Sequence, residues 1–150
     1  MAYIHKKTFD VIHSTNIDGL LEQEYFEADD MIALPIRELN RRGYKTTSSC
    51  SGHPFKELYE ISVALDNKNL KGHYEAYGAP ELRCHITFCD GISLPWLPKG
   101  FKADAGEDGL TITQNIGVCE DEFDYLEETL RRMRMLYDWA LSLPDIGRHY

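Results

Sequence analysis

Apolar and polar residues alternate from Glu81 to Cys89, with Leu82, Cys84, Ile86 and Phe88 on one side and Arg83, His85, Thr87 and Cys89 on the other. That period of two predicts a half-buried strand, and Asp90-Gly91 after it is a turn signal. Leu58 to Leu65 repeats the pattern, with Tyr59, Ile61, Val63 and Leu65 set against Glu60 and Ser62. Tyr44 to Cys50 and Leu110 to Val118 read as further strands, and Tyr3 to Ile12 as a short one. Spacing of three and four takes over between Asp121 and Leu143, where Phe123, Leu126, Leu130, Met133, Tyr137 and Ala140 form a stripe that Pro144 ends. The prediction is a long helix that buries this stripe and leaves Glu127, Glu128, Arg131 and Arg132 in water. Ile32, Ile36 and Leu39 predict a shorter helix, capped by Asp29 or Asp30, with Gly43 as its C′ residue. Pro35 requires it to start close to Leu34 or to bend. Ile17 to Glu27 reads as an acidic helix, and the proline-containing stretch 92–101 as a loop whose Leu94, Trp96 and Leu97 cover an edge of the core. Together these elements predict the α+β class: one mostly antiparallel sheet, helices packed on one side, and a long C-terminal helix.

A length of 150 residues with 43% hydrophobic residues gives a single domain with one core. No run is long and apolar enough for a membrane span, and no apolar signal core follows the basic start, so a cytoplasmic protein without a membrane partner is expected. Neither an internal repeat nor a heptad run of coiled-coil length is present. The four cysteines, Cys50, Cys84, Cys89 and Cys119, are scattered as reduced thiols would be. A net charge of −9 excludes a general nucleic-acid coat, because counterion release needs a basic surface. The charge is unevenly placed: residues 8–36 and 103–130 hold 16 of the 25 acids and no Lys or Arg, whereas residues 37–102 hold ten Lys and Arg against seven acids. An anion would be drawn only to the middle.

The densest chemistry lies in that middle. Thr46-Thr47-Ser48-Ser49-Cys50-Ser51-Gly52-His53-Pro54 sets five hydroxyls, a thiol and an imidazole where a strand gives way to a loop, with Arg37, Arg41, Arg42 and Lys45 just upstream. Hydroxyls and glycine-freed N–H groups can surround the polar edge of a ligand. With Asp30, Leu34-Pro35-Ile36, Leu39-Asn40 and Tyr44, this run resembles the signature of the tRNA wybutosine-synthesis methyltransferases of the third step. The stretch LRCHITF is similar to a later strand of that family, with His85 as the counterpart of its histidine, while His53 stands where the family carries Arg. The resemblance implies an α+β fold, S-adenosylmethionine as methyl donor, and methyl transfer to a modified guanosine of RNA. It places a nucleotide-like ligand at Ser48, Ser49, Cys50, Ser51, Gly52 and His85, with Arg37 and Arg41 nearby, Asp30 accepting from a hydroxyl or amine, and His53 as donor or base.

Other chemistries compete for these residues. Cys50 and His53 have half-site spacing for zinc, but His85 and Cys89 on one strand face are about 13 Å apart, too far to complete it, so no metal is expected. A Cys50 nucleophile activated by His53 or by the upstream arginines is a further reading, but no Asn or Asp is evidently placed to orient His53. The alternative of a different class is a non-catalytic acidic protein whose carboxylates meet a basic partner surface.

Overall fold

The computed structural model describes residues 1–13, 23–52, 81–107, 109–119 and 122–147. The predicted strand at 58–65, most of the predicted acidic helix, and His53 lie outside them. Within them the class is α+β, as expected, but the strands divide into two antiparallel sheets where one was predicted. Strands β1 (Ala2–His5), β2 (Val11–His13) and β3 (Tyr25–Ala28) form the first, in the order β2-β1-β3. Strands β4 (Thr46–Cys50), β5 (Arg83–Phe88), β6 (Lys102–Gly106) and β7 (Gly109–Asn115) form the second, in the order β4-β5-β7-β6.

The first sheet begins as a hairpin where a single strand was read. Phe9 turns the chain with φ 61°, an unfavourable conformation for a residue with a Cβ, and its ring is buried against the core. Tyr25 to Glu27, expected to be helical, pair instead with β1, with Ile4 opposite Phe26. Aromatic residues suit a pleated surface better than a helix.

Helix α1 (Ala33–Arg41) starts two residues before Pro35, which therefore sits in the first turn, where its missing N–H costs nothing. Its N-cap is Ile32, without a side-chain cap; the carboxylates of Asp29 and Asp30 are both engaged elsewhere. The far end is a Schellman motif. Tyr44 N–H donates to Leu39 O and Gly43 N–H to Asn40 O, with Gly43 at φ 98°, where a Cβ would be strained. Tyr44 and Leu39 are both fully buried beside this turn.

Strand β5 alternates as its sequence does: Cys84, Ile86 and Phe88 are buried, and Arg83, His85 and Thr87 face outward. Its buried side shares one core with Ile112 of β7, Ile36 and Leu39 of α1, and Met133, Leu136, Trp139 and Ala140 of the long helix α2 (Glu122–Ser142). The loop 92–101 is pinned to the end of α2, since Trp139 Nε1 donates to Trp96 O and Trp96 Nε1 to Ser142 Oγ.

Helix α2 has close to the predicted extent and buries Met133 and Ala140 as expected, but the rest of its inward face differs. Tyr125, Thr129, Arg132, Met133, Leu136, Trp139, Ala140 and Leu143 point inward, whereas Phe123 is 70% exposed, Leu126 47% and Leu130 52%. Arg132, expected in water, is 3% exposed and donates from Nη2 to Leu82 O at 2.7 Å. The Thr129 hydroxyl is satisfied within the helix, on Tyr125 O. Glu127 pairs with Arg131, and Glu128 joins the same guanidinium. Burial assigns the energies: Leu136→Ala should cost about 2–5 kcal/mol in chemical denaturation, and Leu130→Ala less than about 1 kcal/mol.

Candidate functional site

Strand β4 carries the hydroxyl-rich motif and is held at both ends by side chains. At its start the buried Asn40 accepts from Thr46 N–H through Oδ1 at 3.2 Å and donates from Nδ2 to Thr46 Oγ1 at 3.0 Å and Ile36 O at 2.8 Å. At its end Asp29 Oδ2 accepts from Ser51 N–H at 3.2 Å and from Ser51 Oγ at 3.5 Å. Gly52 follows with φ 105°, and a Cβ there would stand 2.9 Å from Leu82 Cδ1 and 3.0 Å from Arg83 O, so only glycine lets the chain leave the strand past β5.

Asp29, one residue before the predicted Asp30, thus makes the contact with the motif. Asp30 instead accepts from the Met1 amine at 2.7 Å and lies 2.9 Å from His13 Nδ1. The hydrogen bond from the amine, then that from His13, holds its carboxyl below the usual carboxylate range. Arg37 and Arg41 turn to Glu38, which is 4% exposed and has Arg42 beside it as well. Three guanidinium groups make that burial tolerable, and they stabilise α1 rather than stand over the strand end.

The motif lines a groove between the two sheets. Among the described residues β3 has a neighbour only on the β1 side and β4 only on the β5 side, so each presents its outer edge to the space between them. That space, of about 490 Å³, is bounded by Met1, Phe26 to Asp29 of the first sheet, and Thr46 to Ser49 of the second. A bulge at Thr47 shifts the register, bringing Ser48 opposite Thr87 and Cys50 opposite His85. Cys50 and His85 therefore sit in one cross-strand row, continued by Thr113 and Lys102 on the outer face of the second sheet. Glu27 lines the groove without having been singled out in the sequence: an isolated acid in an acidic stretch carries no local signal.

Cys84 lies on the buried face of β5. Desolvation pushes its thiol up to about 11, against the opposing pull of Arg132, so it is no nucleophile at neutral pH. Among the described residues no three or more His, Cys, Asp or Glu side chains are placed to hold a metal ion, and no helix is long and apolar enough to cross a membrane. No family model, no curated protein and no solved structure matches this chain.

Two outcomes test this geometry. Asp29→Ala, which strands the partly buried Ser51 N–H, should destabilise the fold by about 1–3 kcal/mol, more than Asp30→Ala at its exposed site. In thiol labelling of the native protein by iodoacetamide, followed by mass spectrometry, Cys84 should react only after denaturation.

Proposed function

We propose that the protein binds a nucleoside-type ligand of the S-adenosylmethionine class in the groove between β3 and β4. The observation that carries this reading is the lining: two strand edges face each other, with the acids Glu27 and Asp29 on one side and the hydroxyls of Thr46, Thr47, Ser48 and Ser49 on the other. A carboxylate is the natural acceptor for a ribose diol or an ammonium group, and negative charge favours a sulfonium. The outer backbone groups of an edge strand can read the donors and acceptors of a base. No Lys or Arg lines the groove among the described residues, and Arg37 and Arg41 are directed to Glu38, which disfavours a polyphosphate. The residues therefore fit S-adenosylmethionine better than a nucleoside triphosphate. Glu27 would hold hydroxyl or ammonium groups, and Ser48 and Ser49 the remaining polar edge. When bound, such a cofactor supplies an activated methyl group. The resemblance of the Thr46 to Gly52 motif to the wybutosine-synthesis methyltransferases supports RNA as the acceptor.

The test is a thermal-shift and calorimetric series. S-adenosylmethionine and S-adenosylhomocysteine should raise the melting temperature, while ATP should not. Glu27→Gln should weaken S-adenosylmethionine by about 1–3 kcal/mol and leave the unliganded stability unchanged. A chain that responds to none of these compounds is better read as the acidic protein that binds a basic partner surface.

A further inference from the structure

Helix α2 carries a second apolar stripe that its own core leaves largely uncovered, with the buried Ala140 at its edge. Phe123, Leu126, Leu130, Tyr137 and Leu141 follow one another at steps of three, four, seven and four, which keeps them within one narrow stripe of a helix. Phe123, Leu126, Leu130 and Leu141 are exposed and Tyr137 is half-buried. The inward face, centred on Arg132 and Leu136, is turned about a third of a revolution away. The exposed stripe runs about 27 Å along the axis, from the rise per residue. Isolated exposed apolar residues are ordinary; four large ones exposed along one stripe of a single helix mark a contact surface.

We infer that this face pairs with the same face of a second copy of the chain, the two α2 helices lying antiparallel about a two-fold axis at Leu130. Three features of the stripe support that occupant. A two-fold at Leu130 sets Leu130 on its own symmetry mate and brings Phe123 opposite Tyr137, each seven residues from the axis, so every large ring meets another. The charges beside the stripe complement each other in the same register. Glu127 and Arg134 border it on one side, and the antiparallel arrangement places Glu127 of one copy beside Arg134 of the other. In a parallel two-fold pair this flank would face the opposite flank of the partner helix, so Glu127 and Arg134 would not meet. Arg134 is exposed and makes no ion pair among the described residues, so its charge is available. The spacing of seven between Phe123, Leu130 and Tyr137 is also the repeat that keeps a seam in register between two helices. One helix pair gives a small interface, so a reversible dimer of micromolar affinity is expected.

Sedimentation velocity of the full chain, from micromolar to submillimolar concentration, tests this. The expected result is a concentration-dependent rise from one chain to two. Leu130→Glu should weaken association roughly tenfold or more, while the dilute protein keeps the wild-type melting temperature. Glu127→Arg and Arg134→Glu should each weaken it, and combining them should restore it. A chain that stays monomeric throughout overturns the inference. So does a Leu130→Glu variant that melts far below wild type when dilute, because the face would then be covered by the chain itself. Failure of the charge-swapped pair to recover overturns the antiparallel register.

Discussion

The Asn40 carboxamide fixes where α1 stops and where β4 begins, and the second sheet is aligned from that point. Its donor side spans Ile36 O of the last turns of the helix and Thr46 Oγ1, while its acceptor side takes Thr46 N–H. Each such hydrogen bond contributes about 1 kcal/mol net, but losing the amide would leave several buried polar groups without partners, which costs more. The Schellman turn at Gly43 determines the direction of the chain at the same place, so the hydroxyl-rich strand enters with both angle and register set. Arg42 and Tyr44 in the same turn bind Leu143 O and Pro144 O. The exit of the long helix is thereby tied to the entry of β4.

Arg132 plays the corresponding part on the other side of the core. A guanidinium that is almost fully buried is costly, and among the described residues Nε and Nη1 have no hydrogen-bond partner. The cost is offset in part because Nη2 reaches Leu82 O, just before β5, where the chain re-enters the sheet. Arg132 also lies close enough to Cys84 to draw on its thiol, although desolvation of the sulfur dominates. A polar side chain thus joins helix to sheet in the middle of an apolar face.

That arrangement explains which parts of the fold were legible in the sequence. Strand β5 could be read because one of its faces is buried and the other wet, so alternation survives in the residues. The end of α1 could be read because only glycine suits the C′ position. The buried face of α2 could not, since the helix has two apolar stripes and the inward one contains Thr129 and Arg132, whose burial depends on acceptors on Tyr125 and Leu82. Strand β6 is exposed along its whole length and built from Lys, Ala, Asp and Gly, so it has neither alternation nor strand propensity. At the site, the hydroxyl motif was visible as composition. Its partner was placed one residue too late, because neighbouring aspartates look alike until the turn after β3 directs Asp29 to Ser51 and Asp30 to the amine and His13.

The two sheets meet at β3 and β4 without pairing among the described residues, and this shapes the chemistry available there. Unpaired strand edges invite pairing with another chain, and proteins blunt them with bulges and charge. Both devices are present: the Thr47 bulge breaks the regular ladder of β4, and Glu27 puts a carboxylate on β3. Asp29 joins the two edges at one end through its bond with Ser51 N–H. An edge protected in this way still has backbone donors and acceptors to offer, flanked by hydroxyls and carboxylates. Such a lining sets the side chains of Met1 and Phe26 beside hydroxyls and carboxylates, and among the described residues it offers a phosphate chain no Lys or Arg. The features that keep the two sheets from merging therefore also leave hydroxyls, carboxylates and strand-edge backbone groups along the groove.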